Sequence, residues 1–283
     1  MPIVSDLIVL AGASMAILGA WAYFRRYRIV RPPVGVFNRN DMVLLMAGII
    51  IMPYLYLLLP IWLAGTLLGL VTCSILYTIW EPVLQARTTI WLVVLLNMGL
   101  DLTTAWWFGA NHEVFVIIND FIVLLICIGV SNLWVQGGIK ARNVMMLAVF
   151  LTLYDTIATS ILPLMHDMML HLAPLPFAPT MVWGNGNALA GIGLGDLILA
   201  ATFPLVMRKA FSRRAGLLAL LLMPSVIAGM ILLQIIMPTK GIFPAMLFLG
   251  PVMILQYFFW HRHQKRERTM WQYYEQETGM TQF

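Results

Sequence analysis

The 283-residue chain predicts an all-α polytopic membrane protein, and three observations carry that reading. Hydrophobic residues make up 61% of it, charged residues only 10%, and apolar runs recur from one end to the other. A hydrocarbon core about 30 Å thick takes roughly 20 apolar residues per helix. The chain divides into nine stretches of about that length, near residues 5–24, 41–59, 60–80, 90–108, 113–134, 143–164, 187–207, 215–237 and 243–260.

The first span has no basic segment before it, since MPIVSD precedes the apolar run and the arginines follow it. It therefore reads as a retained anchor and not as a cleavable signal. The second and third spans are nearly continuous, and forty residues cannot cross once, so Pro60 and its flanks must hold a tight turn. The fourth and fifth carry Asp101 and Asp120, the sixth Asp155, and the seventh Asp196. Between the sixth and seventh, residues 165–186 form the longest connection, rich in Pro, Met and Leu, which is expected to rest on the outer membrane interface. The eighth span is featureless, and the ninth opens at Pro244. Organisation follows in two parts: 1–142, the first five spans, and 143–283, the last four with a polar tail.

Charge tests the division independently, because Lys and Arg are retained on the cytoplasmic side. Sixteen of the seventeen basic residues fall in alternate connections, around Arg25–Arg39, Arg87, Lys140–Arg142, Arg208–Arg214 and Arg262–Arg268; only Lys240 lies on the other side. This places the amino terminus outside and the carboxyl terminus in the cytoplasm, which an odd number of spans satisfies. The net charge of +5 is thus a topology signal. It adds attraction to anionic membrane lipids and does not point to nucleic acid. Cys73 and Cys127 lie inside spans and read as packing residues.

Most of the twelve acids lie at helix ends or in the tail, where water solvates them. Asp101, Asp120, Asp155 and Asp196 do not, and an ionisable group at bilayer depth costs roughly 2.5–3.5 kcal/mol. Asn97, one turn before Asp101, and Asn119, beside Asp120, offer hydrogen bonds that give both acids a structural role. Asp155 and Asp196 differ, because counting inward from Pro163 and Asn187 puts each eight or nine residues below the outer surface, a depth of roughly 12–14 Å. Two acids level on antiparallel neighbours can share one proton, which halves the charge placed in the membrane. That is also the chemistry of aspartic proteolysis, which needs no metal or other cofactor. No HExxH or Cys cluster is present, and His166, Asp167 and His171 lack ligand spacing. Gly191 and Gly195 form a small-xxx-small face suited to close helix packing, and Gly193 leaves room beside the acid.

LYD at 153–155, GLGD at 193–196 and FPAMLFLGP at 243–251 together resemble the three signatures of the presenilin and signal peptide peptidase family of intramembrane aspartyl proteases. The resemblance covers the last 140 or so residues, and each motif falls in the corresponding span of a nine-helix, presenilin-like fold. It implies that Asp155 and Asp196 are the catalytic pair and that Tyr154, Gly193, Leu194, Gly195, Pro244, Ala245 and Met246 surround the substrate. Met246 stands where the family has leucine, a change that keeps volume and apolarity. The outward amino terminus and the second proline, Pro251, are closer to the signal peptide peptidase branch. The expected substrates are therefore single membrane helices or remnant signal peptides with cytoplasmic amino ends. Short connections suggest a prokaryotic plasma membrane. A proton-coupled transporter would instead use all four acids as a relay, and a non-catalytic chaperone for membrane helices would tolerate loss of either acid. Prepilin peptidases share GxGD but are expected to lack the third motif.

Overall fold

In the computed structural model the described residues are 2–29, 39–110, 112–162, 164–183, 190–236 and 244–278. Among the described residues 83% are helical, and the protein is a polytopic all-α membrane protein. Among the described residues, seven helices are long and apolar enough to cross a membrane. In order the helices are α1 (Pro2–Arg26), α2 (Arg39–Leu58), α3 (Ile61–Trp80), α4 (Arg87–Phe108), α5 (Glu113–Gln136) and α6 (Ala141–Asp155), which passes into a π-helical turn, Thr156–Ile161. Then come α7 (Leu164–Leu172), the strands β1 (Thr180–Trp183) and β2 (Ala190–Gly193), α8 (Leu194–Ala210), α9 (Arg213–Ile236), α10 (Met246–Gln264) and α11 (Met270–Thr278).

The expected turn at Pro60 is present: α2 ends at Leu58, and Pro60, with φ −55° and ψ 142°, caps α3. A proline suits that place because its missing amide hydrogen is one that a helix start leaves unpaired anyway. Helix α8 is the centre of the molecule, packed by α1, α5, α6 and α9, and from Leu199 to Ala210 every residue is buried. Its neighbour α5 is tied to α1 by polar side chains as well as apolar ones. Asn132 Nδ2 donates to the Ala20 carbonyl at 3.1 Å, and Gln136 Oε1 accepts from the Ile29 amide at 2.7 Å. Inside a membrane such bonds fix helix rotation more than they add stability.

Three expectations are corrected. The seventh span, expected to be helical over 187–207, is not so at 190–193, which form β2; the helix starts at Leu194, after Gly193 with φ −67° and ψ 143°. Glycine is a poor helix former, and the four glycines between 184 and 193 remove the local drive to begin earlier. Asn187 itself lies outside the described residues, so the count of depth from it gives way to the helix start. The connection after α6 is also not a plain loop: α7 and β1 occupy it, and β1 pairs antiparallel with β2, Thr180 opposite Gly193 and Val182 opposite Gly191. Finally, Gly191 and Gly195 do not share a helix face. Gly191 sits in β2, where an added Cβ would lie 3.2 Å from the Met181 carbonyl oxygen, and Gly195 opens onto space with nothing within 4 Å.

A candidate active site between two aspartates

Asp155 is the last residue of α6, where i→i+4 bonding gives way to the π-helical turn. Such wider turns often occur at functional positions because they displace one side chain from the regular helical path. Both carboxylate oxygens of Asp155 are held. Oδ1 accepts from the Thr159 hydroxyl at 2.9 Å, and Oδ2 accepts from the Met246 amide at 3.2 Å. The second bond exists because Pro244 interrupts the chain before α10, leaving the first amides of that helix without intrahelical partners. Thr152, three residues before Asp155, ties the same two elements by donating to the Met246 carbonyl at 3.1 Å. Against it packs Gly250, where any Cβ would collide with the Thr152 hydroxyl. Helix α10 therefore approaches α6 backbone to side chain, and only glycine allows it.

Asp196 comes from the other direction, in the first turn of α8, three residues after Gly193. That position places its carboxylate among the unpaired amides of a helix start. It is half-buried, and it interacts electrostatically with Asp155. Helices α6 and α8 pack against each other, with Asp155 at the end of one and Asp196 at the start of the other. A Cβ at Gly193 would sit 3.4 Å from Asp196 Oδ2, so a larger side chain there would cover the acid. Leu194 and Gly195 complete the turn, with Gly195 exposed and Leu194 half-buried against the apolar core.

Of the other expected site residues, Ala245 and Met246 are buried beside the acids and Pro244 is half-buried. Tyr154 stacks on Phe150, with parallel rings and centroids 6.1 Å apart. Its hydroxyl is buried and has no hydrogen-bond partner among the described residues. Asp167 is exposed and the buried His171 Nε2 atom has no partner among the described residues, whereas the His166 side chain lies outside them. Among the described residues no group of three His, Cys, Asp or Glu side chains is placed to hold a metal ion. Cys127 is buried and its thiol faces the Leu197 carbonyl at 3.4 Å, a packing role.

The remaining intramembrane acids make structural hydrogen bonds, but to partners other than the neighbouring asparagines. Asn97 does not pair with Asp101; its amide nitrogen donates to Val93 one turn back, at 2.7 Å. Asp101, fully buried, accepts instead from the Phe177 amide at 2.7 Å. Asp120 accepts from the Val182 amide at 3.0 Å, and Asn119 donates to the carbonyls of Ala178 and Thr180 at 3.3 and 3.2 Å. Three side chains from α4 and α5 thus grip one face of the 177–182 segment by its backbone. Sequence spacing could not show these contacts, which span 59 to 76 residues. Thr159 was within reach, because a hydroxyl four residues after an acid in a helix lies on the same face.

Among the described residues, the outer edge of β2 pairs with no further strand. Residues in an antiparallel pair alternate between facing the partner and facing away. Thr180 and Val182 turn their backbone groups toward α5, so Gly193 and Gly191, opposite them, turn theirs away from β1. Gly191 is exposed and Gly193 half-buried. The edge has no side chains on these two residues and runs straight into Asp196. No protein-family model matches the chain, and a search of curated proteins finds no significant match.

Proposed function

We propose that the protein is an intramembrane aspartyl protease of the presenilin and signal peptide peptidase type. The observation that carries this reading is that Asp155 and Asp196 lie at the ends of two packed helices and act on each other electrostatically, with the Met246 amide and Thr159 hydroxyl orienting the first acid. Water bound between the acids gives one proton to the ionised carboxylate as its oxygen bonds to the substrate carbonyl carbon. The protonated partner donates its hydrogen to the carbonyl oxygen. When the tetrahedral intermediate collapses, the C–N bond breaks and the nitrogen leaves with a proton from the pair. Oxygen and hydrogen balance to one water consumed per bond cut.

A peptide bond inside a helix is already hydrogen-bonded and covered, so the substrate must be extended at the cut. The free edge of β2, with Gly191 and Gly193, is a strand-addition surface that delivers an extended segment to Asp196. In this reading α8, of 17 residues, and α10, of 19, complete nine crossings of the presenilin-like arrangement. The arginine distribution puts the amino terminus outside, in a prokaryotic plasma membrane. The substrates are then single spans or remnant signal peptides whose amino ends face the cytoplasm.

A proton-coupled transporter is the rival, since it too uses buried carboxylates. The bonds of Asp101 and Asp120 to the 177–182 backbone speak against a relay through them. The test is cleavage of a labelled single-span substrate by purified protein in bilayers. Asp155→Ala and Asp196→Ala are each expected to lower the rate by at least 10³-fold, in line with loss of a group that acts as one unit with its partner. Undiminished cleavage in either variant removes that residue from the mechanism.

A further inference from the structure

At the end of the bundle opposite the hairpin, one short piece of tail touches both acid-bearing helices. The Glu267 carboxylate accepts from the Ala141 amide through Oε2 and from the Arg142 amide through Oε1, each at 3.0 Å. These amides open α6, whose own capping residue, Lys140, makes no side-chain cap. The next residue works on α8. The Arg268 amide donates to the Ala210 carbonyl at 2.9 Å and its guanidinium donates to the Arg208 carbonyl at 2.8 Å. A negative group thus sits at the amino end of α6 and a positive one at the carboxyl end of α8, both matching the helix dipoles. Tyr257 of α10 joins through its hydroxyl, which donates to Glu267 at 3.1 Å. Lys209, buried at the end of α8, donates to the Ile139 carbonyl and feels the Glu267 and Lys140 charges.

The two arms are equal. Asp155 lies fourteen residues after Ala141, and Asp196 lies fourteen residues before Ala210. At 1.5 Å per residue each acid is roughly 21 Å from its anchor. Neighbouring residues of one extended segment hold both anchors, so the acids at the far ends are brought to one level.

We infer that Glu267 and Arg268 form a positioning clamp that sets the axial register of α6 against α8 and thereby the approach of Asp155 to Asp196. The inference rests on the proteolytic reading for its kinetic consequence but not for its geometry. Neither residue touches substrate, so their loss alters the chemical step and leaves binding alone.

The experiment uses the full chain in bilayers with a labelled single-span substrate, comparing wild type, Glu267→Ala, Glu267→Gln and Arg268→Ala. For Glu267→Ala a fall in kcat of about tenfold or more is expected, with KM within twofold and an altered pH profile of kcat, because separation of the two acids changes how they share a proton. Glu267→Gln keeps an acceptor oxygen and should fall between wild type and the alanine variant. A second readout is independent of cleavage. Spin labels at Leu153→Cys and Ile198→Cys, with Cys73 and Cys127 replaced by alanine, report the register directly. Their distance should shift or broaden in Glu267→Ala by at least the ~1.5 Å rise of one helical residue. An unchanged label distance overturns the clamp, as do wild-type kcat and pH profile in a folded Glu267 variant; if the alanine variant does not fold, Glu267→Gln decides by the same readouts. A protein whose labels shift but which cleaves nothing, or cleaves equally without Asp155, refutes the protease and leaves the clamp standing.

Discussion

Four aspartates share a membrane-embedded setting, and their neighbours separate them into two kinds. Asp101 and Asp120 each spend a carboxylate oxygen on a backbone amide of the 177–182 segment, whereas Asp155 is held by Thr159 and Met246 and acts electrostatically on Asp196. The distinction is testable because asparagine keeps an acceptor oxygen but no exchangeable acid proton. Asp101→Asn should retain cleavage within about threefold, while Asp101→Ala strands the buried Phe177 amide and costs roughly 1–3 kcal/mol of stability. Thermal unfolding in detergent measures the second, and loss of all activity in Asp101→Asn would favour a relay. Gly193 permits another check. Gly193→Val should cut the cleavage rate at least about tenfold by covering Asp196 and weakening the open strand edge, with little change in unfolding temperature, since the position borders space on one side. The pair Asp155 and Asp196 stood out in the sequence from their company in three motifs. Their bonding partners were mostly not, because Met246 reaches Asp155 across 91 residues and only the folded chain makes them neighbours.

Among elements, long apolar helices were the most legible, since hydropathy alone requires α1 to α6 and α9. The hairpin was illegible for a physical reason. Its strands contain four residues each and lie within an apolar, glycine-rich stretch, so no alternating pattern has room to develop. What stabilises it is tertiary: side chains on α4 and α5, which a local window never sees. The contact of α6 with α10 is the most sensitive of the helix pairs. Gly250→Val forces a branched side chain into Thr152, and overpacking of this kind costs about 1–3 kcal/mol. It also draws the Met246 amide from Asp155, so activity should fall further than the loss of folded protein explains, as comparison of the specific activity of the soluble folded fraction will show. Outside the membrane, α11 docks by Tyr273 on Phe24, with ring centroids 5.5 Å apart, and by Tyr274 under Arg28 at 4.3 Å. Burial raises the Tyr274 hydroxyl above its ordinary value of 10.0, with Arg28 opposing in part. A raised folded value means that docking is fully favoured below pH 10 and is lost as pH climbs through it. Fluorescence of the neighbouring Trp271 should report release of the tail only above that pH.

For the whole molecule, the basic connections converge. Arg28, Arg208 and Arg268 all contact the tail helix or the residue beside it, and Glu267 binds the start of α6 in the same region. The charge asymmetry seen in the sequence is therefore also a spatial one, with the hairpin and its acids at the far end. If this basic end is cytoplasmic, cysteines placed near residue 2 and near residue 278 should react with impermeant reagents on opposite sides of sealed vesicles. An inward amino terminus would contradict the reading.

The side chains of Asp101, Asn119 and Asp120 leave the sheet lopsided, with one border occupied and the other unpaired among the described residues. That asymmetry dictates what an inhibitor must look like. Peptidomimetics methylated on every second nitrogen present hydrogen-bonding groups along one side only. If the proposed proteolysis holds, then of two such compounds offset by a single residue, one should block cleavage and the other be inert. Potency would then depend on the phase of methylation more than on the side chains attached.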